Sequence, residues 1–285
     1  MFPYIFVLDL DGTIIGDVKF QIARHTLHES LRKRGVKLEA GGGKVPAAFH
    51  PSQKLIRPGF ANFIKAMADT YPWTEFFVFT ASEKSWALTE VPWIEKACGV
   101  QFSRPIFTRD DCVIDAGGSY KKSLTKIMPR IWRTVAKKHV LTKLERTYVM
   151  QNNVMIIDNT AVYIDNQDKL LLCPDYSYAV FEDMLSGLPP DIMEHPTILS
   201  LMNAGLVCPA NPADKRDPVR ALGEKYKWLA AKCQAVSDIN RTFVDDAFWK
   251  LLRRLIVDNN ITQFAGTVIP ELQRVCWKRG APRAR

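Results

Sequence analysis

Up to about residue 175 the chain alternates between two hydrophobic patterns. Short unbroken apolar runs occur at 4–9, 76–80, near 105–107, at 154–158 and at 170–173. Such runs, bounded by turn-forming residues, predict strands covered on both faces, as in a parallel sheet. Between them apolar residues recur at helical spacing. One such stretch is 20–34. A second follows Ile56-Arg57-Pro58-Gly59, with Phe60, Phe63, Ile64 and Met67 on one face, and a third is 85–98. The fourth is 119–150, where Leu124, Ile127, Met128, Ile131, Val135, Leu141, Leu144 and Tyr148 form an interrupted stripe. Pro129 is expected to kink that helix or to start its second part. Strands alternating with helices predict an α/β fold, a parallel sheet sandwiched by helices.

From about 181 onward the strand pattern stops. The stretches 191–203, 217–236, 242–257 and 262–277 read as helices. In the third, Val244, Phe248, Leu251, Leu252 and Leu255 share a face, and Thr242 with Asp245 resembles a capping box with a shorter acid. Gly41-Gly42-Gly43 reads as a flexible loop, the prolines at 209, 212 and 218 as a linker over 207–218, and 278–285 as a disordered basic tail. The expected organisation is an α/β domain at 1–180 with a basic helical insert at about 119–150, followed by a helical C-terminal region at 181–285. There is no internal repeat.

Composition narrows the setting. With 285 residues, 47% hydrophobic and 24% charged, the chain has the balance of a soluble globular protein. No apolar stretch approaches the roughly 18 residues of a membrane span. The apolar N-terminus has no basic leader and runs straight into Asp9 and Asp11, so it reads as a strand and not as a signal peptide. Six scattered cysteines without a CxxC pair suit reduced thiols, which points to an intracellular, cytoplasmic or nuclear setting. The formal net charge is +9, and segment 119–150 carries most of it: nine Lys and Arg against Glu145 alone. A concentrated basic element favours an acidic partner such as nucleic acid, a phosphopeptide, or a virion or membrane surface.

The chemistry begins where the first strand ends. Asp9 and Asp11 are two apart, so on an extended strand they point to one side, at the carboxyl edge of a parallel sheet where ligands bind. Two like charges held there are costly unless a cation or a proton transfer uses them. Gly12 permits a sharp turn. Asp158-Asn159 ends the fourth strand. An acid there can join Asp9 and the Asp11 carbonyl around a hard cation, and oxygen-only ligands suit Mg²⁺. Lys121 and Lys122 are both candidates for the cation that neutralises the cluster.

The motif Asp9-Leu-Asp11-Gly12-Thr13 resembles the first signature of the haloacid dehalogenase (HAD) superfamily of phosphohydrolases. That resemblance implies an HAD-like (Rossmannoid) fold, Asp9 as nucleophile through an aspartyl phosphate, and Asp11 as general acid and base. It gives Thr80 the role of a hydroxyl bonding the phosphoryl group. Gly12, Thr13, Ala81 and Ser82 then belong to the phosphate site. Asp9, Asp11 and Asp158 are the implied Mg²⁺ ligands, with Asn159 behind them.

Arg57-Pro-Gly59, Phe79-Thr-Ala-Ser82 with Trp86-Ala87, Thr108-Arg-Asp-Asp-Cys112, Gly118-Ser-Tyr-Lys-Lys122-Ser-Leu124 and Ile157-Asp-Asn-Thr160 occur in that order. Together they resemble the branch of RNA polymerase II C-terminal-domain phosphatases and NLI-interacting-factor-like small phosphatases, over about residues 1–175. The resemblance gives Lys122 the family lysine role and puts Lys121 on a variable position. It implies a Mg²⁺-dependent protein serine/threonine phosphatase with little cap domain and an open site for a phosphorylated side chain. Ser123 replaces an acid of the family pattern, and Thr160-Ala161 replace Ser-Pro. The basic segment also lengthens the interval before strand four. A phosphatase acting on nucleic-acid ends and a phosphatase-like scaffold of a virion or transcription assembly are the competing readings. The modified sequence is compatible with a large-DNA-virus source and a virion-associated setting.

Overall fold

The computed structural model describes residues 2–35, 55–181, 184–185, 194–208 and 217–280. The glycine loop at 41–43, the prolines at 209 and 212, the start of the helix expected from 191 and the end of the tail lie outside the described residues. Four strands form one parallel sheet: β1 (Ile5–Leu8), β2 (Glu75–Val78), β5 (Val154–Asp158) and β6 (Leu170–Leu172), in the order β2-β1-β5-β6. The unbroken apolar runs follow from burial on both faces, since every residue of β1, β2 and β5 is buried. The run near 105–107 does not form a strand. It touches the sheet edge through a single parallel bridge, Phe107 beside Phe79, because Thr80 N donates to the Phe107 carbonyl and Phe107 N to that of Val78.

The helices of this part are α2 (Phe60–Thr70), α3 (Lys84–Cys98), α4 (Leu124–Val135) and α5 (Lys143–Asn152). The basic segment is not one kinked helix. Its start, Tyr120–Lys121 (β4), pairs antiparallel with Val113–Ile114 (β3) in a separate two-stranded ribbon. α4 runs through Pro129, and the break comes at 136–142, where Thr142 and Glu145 form a capping box that starts α5. The expected stripe holds within α4, where Leu124, Ile127, Met128, Ile131 and Val135 are all buried against the sheet core.

The chain divides into two compact units. One comprises Met1–Gly16, Ile56–Ser177 and Thr242–Arg285, the other Asp17–Leu55 and Tyr178–Arg241. This division does not follow the expected boundary at 180/181. In the first unit α8 (Phe248–Asp258) packs on α2, and α9 (Val268–Gly280) packs on α8 and beside β6. Phe264 is buried and meets the Phe6, Tyr4 and Tyr71 rings, and its N–H donates to the Asn152 carbonyl. The face of α8 also differs from expectation. Phe248, Trp249, Leu252 and Ile256 are buried, while Val244 is exposed because the helix begins only after Ala247.

The second unit joins α1 (Lys19–Lys33), α6 (Pro196–Asn203) and α7 (Pro218–Arg241) around Phe20, Ala23, Leu27, Leu31, Ile198, Leu201 and Val236. Asn240 closes it through paired hydrogen bonds with the Ala179 backbone. Local periodicity carries no signal for this pairing of distant segments.

Replacing Phe264 with Ala is expected to destabilise the sheet-bearing unit by about 3–5 kcal/mol, the usual result of deleting a buried aromatic. Urea unfolding followed by tryptophan fluorescence measures it. An unchanged midpoint would favour the division at 180/181.

Candidate functional site

The carboxyl ends of β1 and β5 define the site. Leu8 is in register with Ile157, so Asp9 and Asp158 leave the sheet side by side. Asp158 is fully buried and Asp9 nearly so. Lys122 reaches between them: its Nζ donates to Asp9 Oδ1 at 2.6 Å and to Asp158 Oδ2 at 2.7 Å, and the side chain is 2% exposed. The chain places this lysine, rather than Lys121, by a parallel bridge. Lys122 N donates to the Val162 carbonyl and Ile164 N to that of Lys122, which fixes the residue beside Tyr163. Lys121 faces outward toward Asp115.

The positions that depart from the family pattern keep hydrogen-bonding work. Thr160 donates to Asp158 Oδ1 from both its backbone N–H and its hydroxyl, each at 2.8 Å. Ser123 caps α4 by accepting from Lys126 N, and its own hydroxyl donates to Asp165, whose other oxygen accepts from Leu124 N. Asp165 thereby plays a part that the sequence reading missed, and its carboxyl is held below the usual range by these donors although burial opposes them.

Asp11 occupies a different environment. Its Oδ2 accepts from the Thr80 hydroxyl at 3.2 Å and the Ser82 hydroxyl at 2.6 Å. Its Oδ1 is buried and accepts from no hydroxyl or backbone N–H among the described residues, while the Trp86 indole adds to the groups that favour the carboxylate. Thr80 also accepts from Ser82 N, which locks the turn after β2. Thr13 points into the cluster: its hydroxyl donates to Asp9 Oδ2 at 3.1 Å and accepts from Asn159 N. Asn159 in turn donates to Asp175. Gly12 has φ +76°, and a Cβ there would come within 2.3 Å of Asn159 Nδ2, so glycine is required both by conformation and by space. The Ala81 carbonyl accepts from Arg109 Nε, and Arg109 lies over the Tyr120 ring.

Burial governs the electrostatics. It pushes Asp9 up to about 7; Lys122 opposes this, while Asp158 and Asp11 add to it. Burial also raises Asp11, only partly offset by the Ser82 and Thr80 hydroxyls. For Lys122, burial alone would favour the neutral amine, but Asp9 and Asp158 reverse that and hold the ammonium above its ordinary range. Glu90 on α3 is fully buried with both oxygens unpartnered among the described residues, and burial together with the Asp11 charge raises it to about 8. No motif drew attention to Glu90, since one acid on an apolar helical face gives no pattern.

The donor set suits a hard divalent cation. Asp9 and Asp158 offer carboxylate oxygens with lone pairs beyond those used by Lys122, Thr13 and Thr160. The described residues contain no cluster of three or more metal-ligating side chains. Mg²⁺ sites are typically built from one or two carboxylates completed by water and phosphate, so the residues present fit.

About half of the basic segment's cations have a partner within the fold. Besides Lys122, Lys121 pairs with Asp115, Arg130 with Asp111 and Lys138 with Glu75, and Lys126 donates to the Cys112 carbonyl. All six cysteines are free. No described helix is long and apolar enough to cross a membrane.

A parallel sheet with paired acids after its first strand, a third acid after a neighbouring strand and a lysine between them defines an HAD-like α/β protein. Residues 4–188 match the family described as NLI interacting factor-like phosphatase, well over half of the chain. The chain belongs to that family. No curated protein matches it. Among solved structures it is similar to fission yeast RNA polymerase II CTD phosphatase Fcp1 bound to beryllium fluoride. The identity is 16% over 97% of this chain and 62% of that one, with a TM-score of 0.34. It is also similar to a structure of Fcp1 described as an essential RNA polymerase II CTD phosphatase. There the identity is 18% over 94% of this chain and 70% of that one, with a TM-score of 0.36. The chain thus spans less than two thirds of the first of these proteins.

The raised Asp9 carboxyl has a consequence for metal-free stability. A carboxyl titrating near 7 in the fold and in the ordinary range when unfolded keeps a proton that the unfolded chain has lost. Stability then falls as pH rises through that window. Lys122, raised above its ordinary value, contributes fully throughout the same window, and Glu90 adds a parallel slope. The melting temperature without metal is expected to fall between about pH 5 and 8, and Asp9→Asn to flatten that dependence. Equal slopes for the two proteins would refute the assignment.

Proposed function

We propose that this chain is a Mg²⁺-dependent protein phosphatase that removes phosphate from phosphoserine or phosphothreonine through an aspartyl phosphate on Asp9. The observation that carries this reading is the contrast between the two acids after β1. Asp9 lies against the Lys122 ammonium, whereas Asp11 is held by the Thr80 and Ser82 hydroxyls, with the Trp86 indole beside it. Neighbouring acids with different surroundings divide into a base or nucleophile and an acid.

In this mechanism an Asp9 carboxylate oxygen attacks phosphorus while the bond to the serine or threonine oxygen breaks. Asp11, which burial favours in its protonated form, delivers its proton to the departing alkoxide. Asp11 then accepts a proton from water as that water attacks phosphorus and releases Asp9. Lys122 opposes the push of burial toward the protonated Asp9 and offsets the charge of the arriving phosphate. Thr13 and Asn159 orient Asp9, and Thr80 and Ser82 orient Asp11. Ala81 and Gly12 supply the turns from which the phosphate is approached. Mg²⁺ held by Asp9, Asp158 and the Asp11 carbonyl, with Asn159 behind them, would supply charge neutralisation for the phosphoryl oxygens.

Purified protein tested with p-nitrophenyl phosphate, a phosphoserine heptad peptide and a 3′-phosphorylated oligonucleotide separates the readings. Preference for the peptide supports the proposal. Preference for the oligonucleotide favours the nucleic-acid-end reading, and no turnover with any of them favours the scaffold. Within 119–150, apart from Lys126, which bonds the Cys112 carbonyl, Arg133, Lys137, Lys143 and Arg146 are the cations with no ion pair among the described residues. An acidic partner, if recruited by this segment, would meet these four.

Asp11→Asn is expected to reduce turnover of the phosphoserine peptide by about 10²–10⁴-fold and that of p-nitrophenyl phosphate by less, since an activated leaving group needs little acid help. Steady-state kinetics on both substrates check this, and equal losses would contradict the acid role. Asp158→Ala is expected to weaken Mg²⁺ affinity, so that activity recovers partly at high Mg²⁺. A Mg²⁺ titration curve identical to that of the unaltered protein would remove Asp158 from the metal site.

A further inference from the structure

Three consecutive carbonyls follow Asp11, and each accepts a hydrogen bond from a different part of the chain. The Gly12 carbonyl accepts from Tyr176 N at 2.9 Å. The Thr13 carbonyl accepts from the Trp249 indole Nε1 at 3.3 Å. The Ile14 carbonyl accepts from Arg57 N at 2.9 Å. Donors on three successive carbonyls leave this stretch of backbone little freedom, and it is the stretch that joins the two acids to Thr13.

Arg57 ties the three donors together. It is 1% exposed, and its Nε and Nη2 reach both carboxylate oxygens of Asp246, the shortest contact being 2.8 Å. Its Nη1 donates to the Pro174 carbonyl, two residues before Tyr176. The guanidinium also lies over the Tyr176 and Phe248 rings. Trp249 is fully buried and packs against Phe60, Phe63 and Phe248. The two ends of Thr13 are therefore held from opposite directions, its carbonyl by Trp249 and its hydroxyl by Asp9.

We propose that Asp246 and Trp249, at the start of α8, are positioning residues for the Asp9–Asp11 loop, so that this C-terminal helix is part of the catalytic apparatus. The proposal rests on the function argued above. It lies outside the motif-bearing region, because residues 4–188 carry the family match and these two side chains lie 189 and 236 positions from their partners. Asp246 acts through Arg57, and Trp249 acts directly on the Thr13 carbonyl. Neither touches the reacting atoms.

A purely structural role predicts loss of folded protein with normal turnover per folded molecule. A positioning role predicts the reverse, a loss of kcat in protein that remains folded. Trp249→Phe separates them, since it keeps an aromatic ring among Phe60, Phe63 and Phe248 but removes the N–H with part of the bicycle, leaving the buried Thr13 carbonyl unsatisfied. We expect kcat on p-nitrophenyl phosphate to fall about tenfold, KM to stay within about twofold, and amide exchange at Gly12, Ile14 and Ile15, whose N–H groups bond within this loop, to quicken while exchange in β5 is unchanged. Arg57→Lys, which keeps the charge but loses the fork that spans Asp246 and Pro174, is expected to act in the same direction. Unaltered kcat and unaltered loop exchange in folded Trp249→Phe would overturn the proposal. So would uniform loss of protection with normal turnover per folded molecule. Absence of turnover in the unaltered protein would instead overturn the phosphatase reading on which it rests.

Discussion

The buried ammonium of Lys122 between Asp9 and Asp158 is the interaction on which the site depends. Register forces it: β1 and β5 are neighbours, Leu8 pairs with Ile157, and the next residue on each strand is an aspartate. Two adjacent buried carboxylates repel each other and lose hydration, which is costly unless a cation lies between them. Lys122 supplies that charge, and the chain commits a bridge beside Tyr163 and a capped helix, α4, to holding it there. Removing one member of such a buried group typically costs about 3–5 kcal/mol because the others are left uncompensated. The same ammonium opposes the push of burial toward a protonated Asp9, although burial remains the larger effect.

Much of this was legible in the sequence. The run 154–158 appears unaltered as β5, and the stripe from Leu124 to Val135 is the buried face of α4. The spacing of Asp9 and Asp11 located the site but not their orientation, since β1 ends at Leu8 and the two carboxylates face different partners; Lys122 was distinguished from Lys121 by the family resemblance. The β5 run and the α4 stripe are local features, and strand and helix periods report them directly.

What the sequence did not disclose depends on tertiary contacts. Lys126, Arg130 and Lys138 appear in the sequence as parts of a basic surface, yet each is bound to a neighbour within the fold. Asp246 looks like an ordinary acid before a helix until Arg57 is found against it, and Trp249 looks like one more core aromatic. The helices after 241 were legible as helices, but not as part of the sheet-bearing unit, because no local pattern records that α8 packs on α2. Likewise nothing in 20–34 signals that its partners lie beyond 178.

The central claim is that Asp9 carries the phosphoryl group during turnover. Rapid acid quenching of the protein with a ³²P-labelled phosphoserine peptide, followed by peptide mapping, tests it most directly. The account predicts a hydroxylamine-sensitive acyl phosphate on the peptide containing Asp9, accumulating where water attack is slow and absent in Asp9→Asn. Label on another residue, or full turnover by Asp9→Asn, would contradict it.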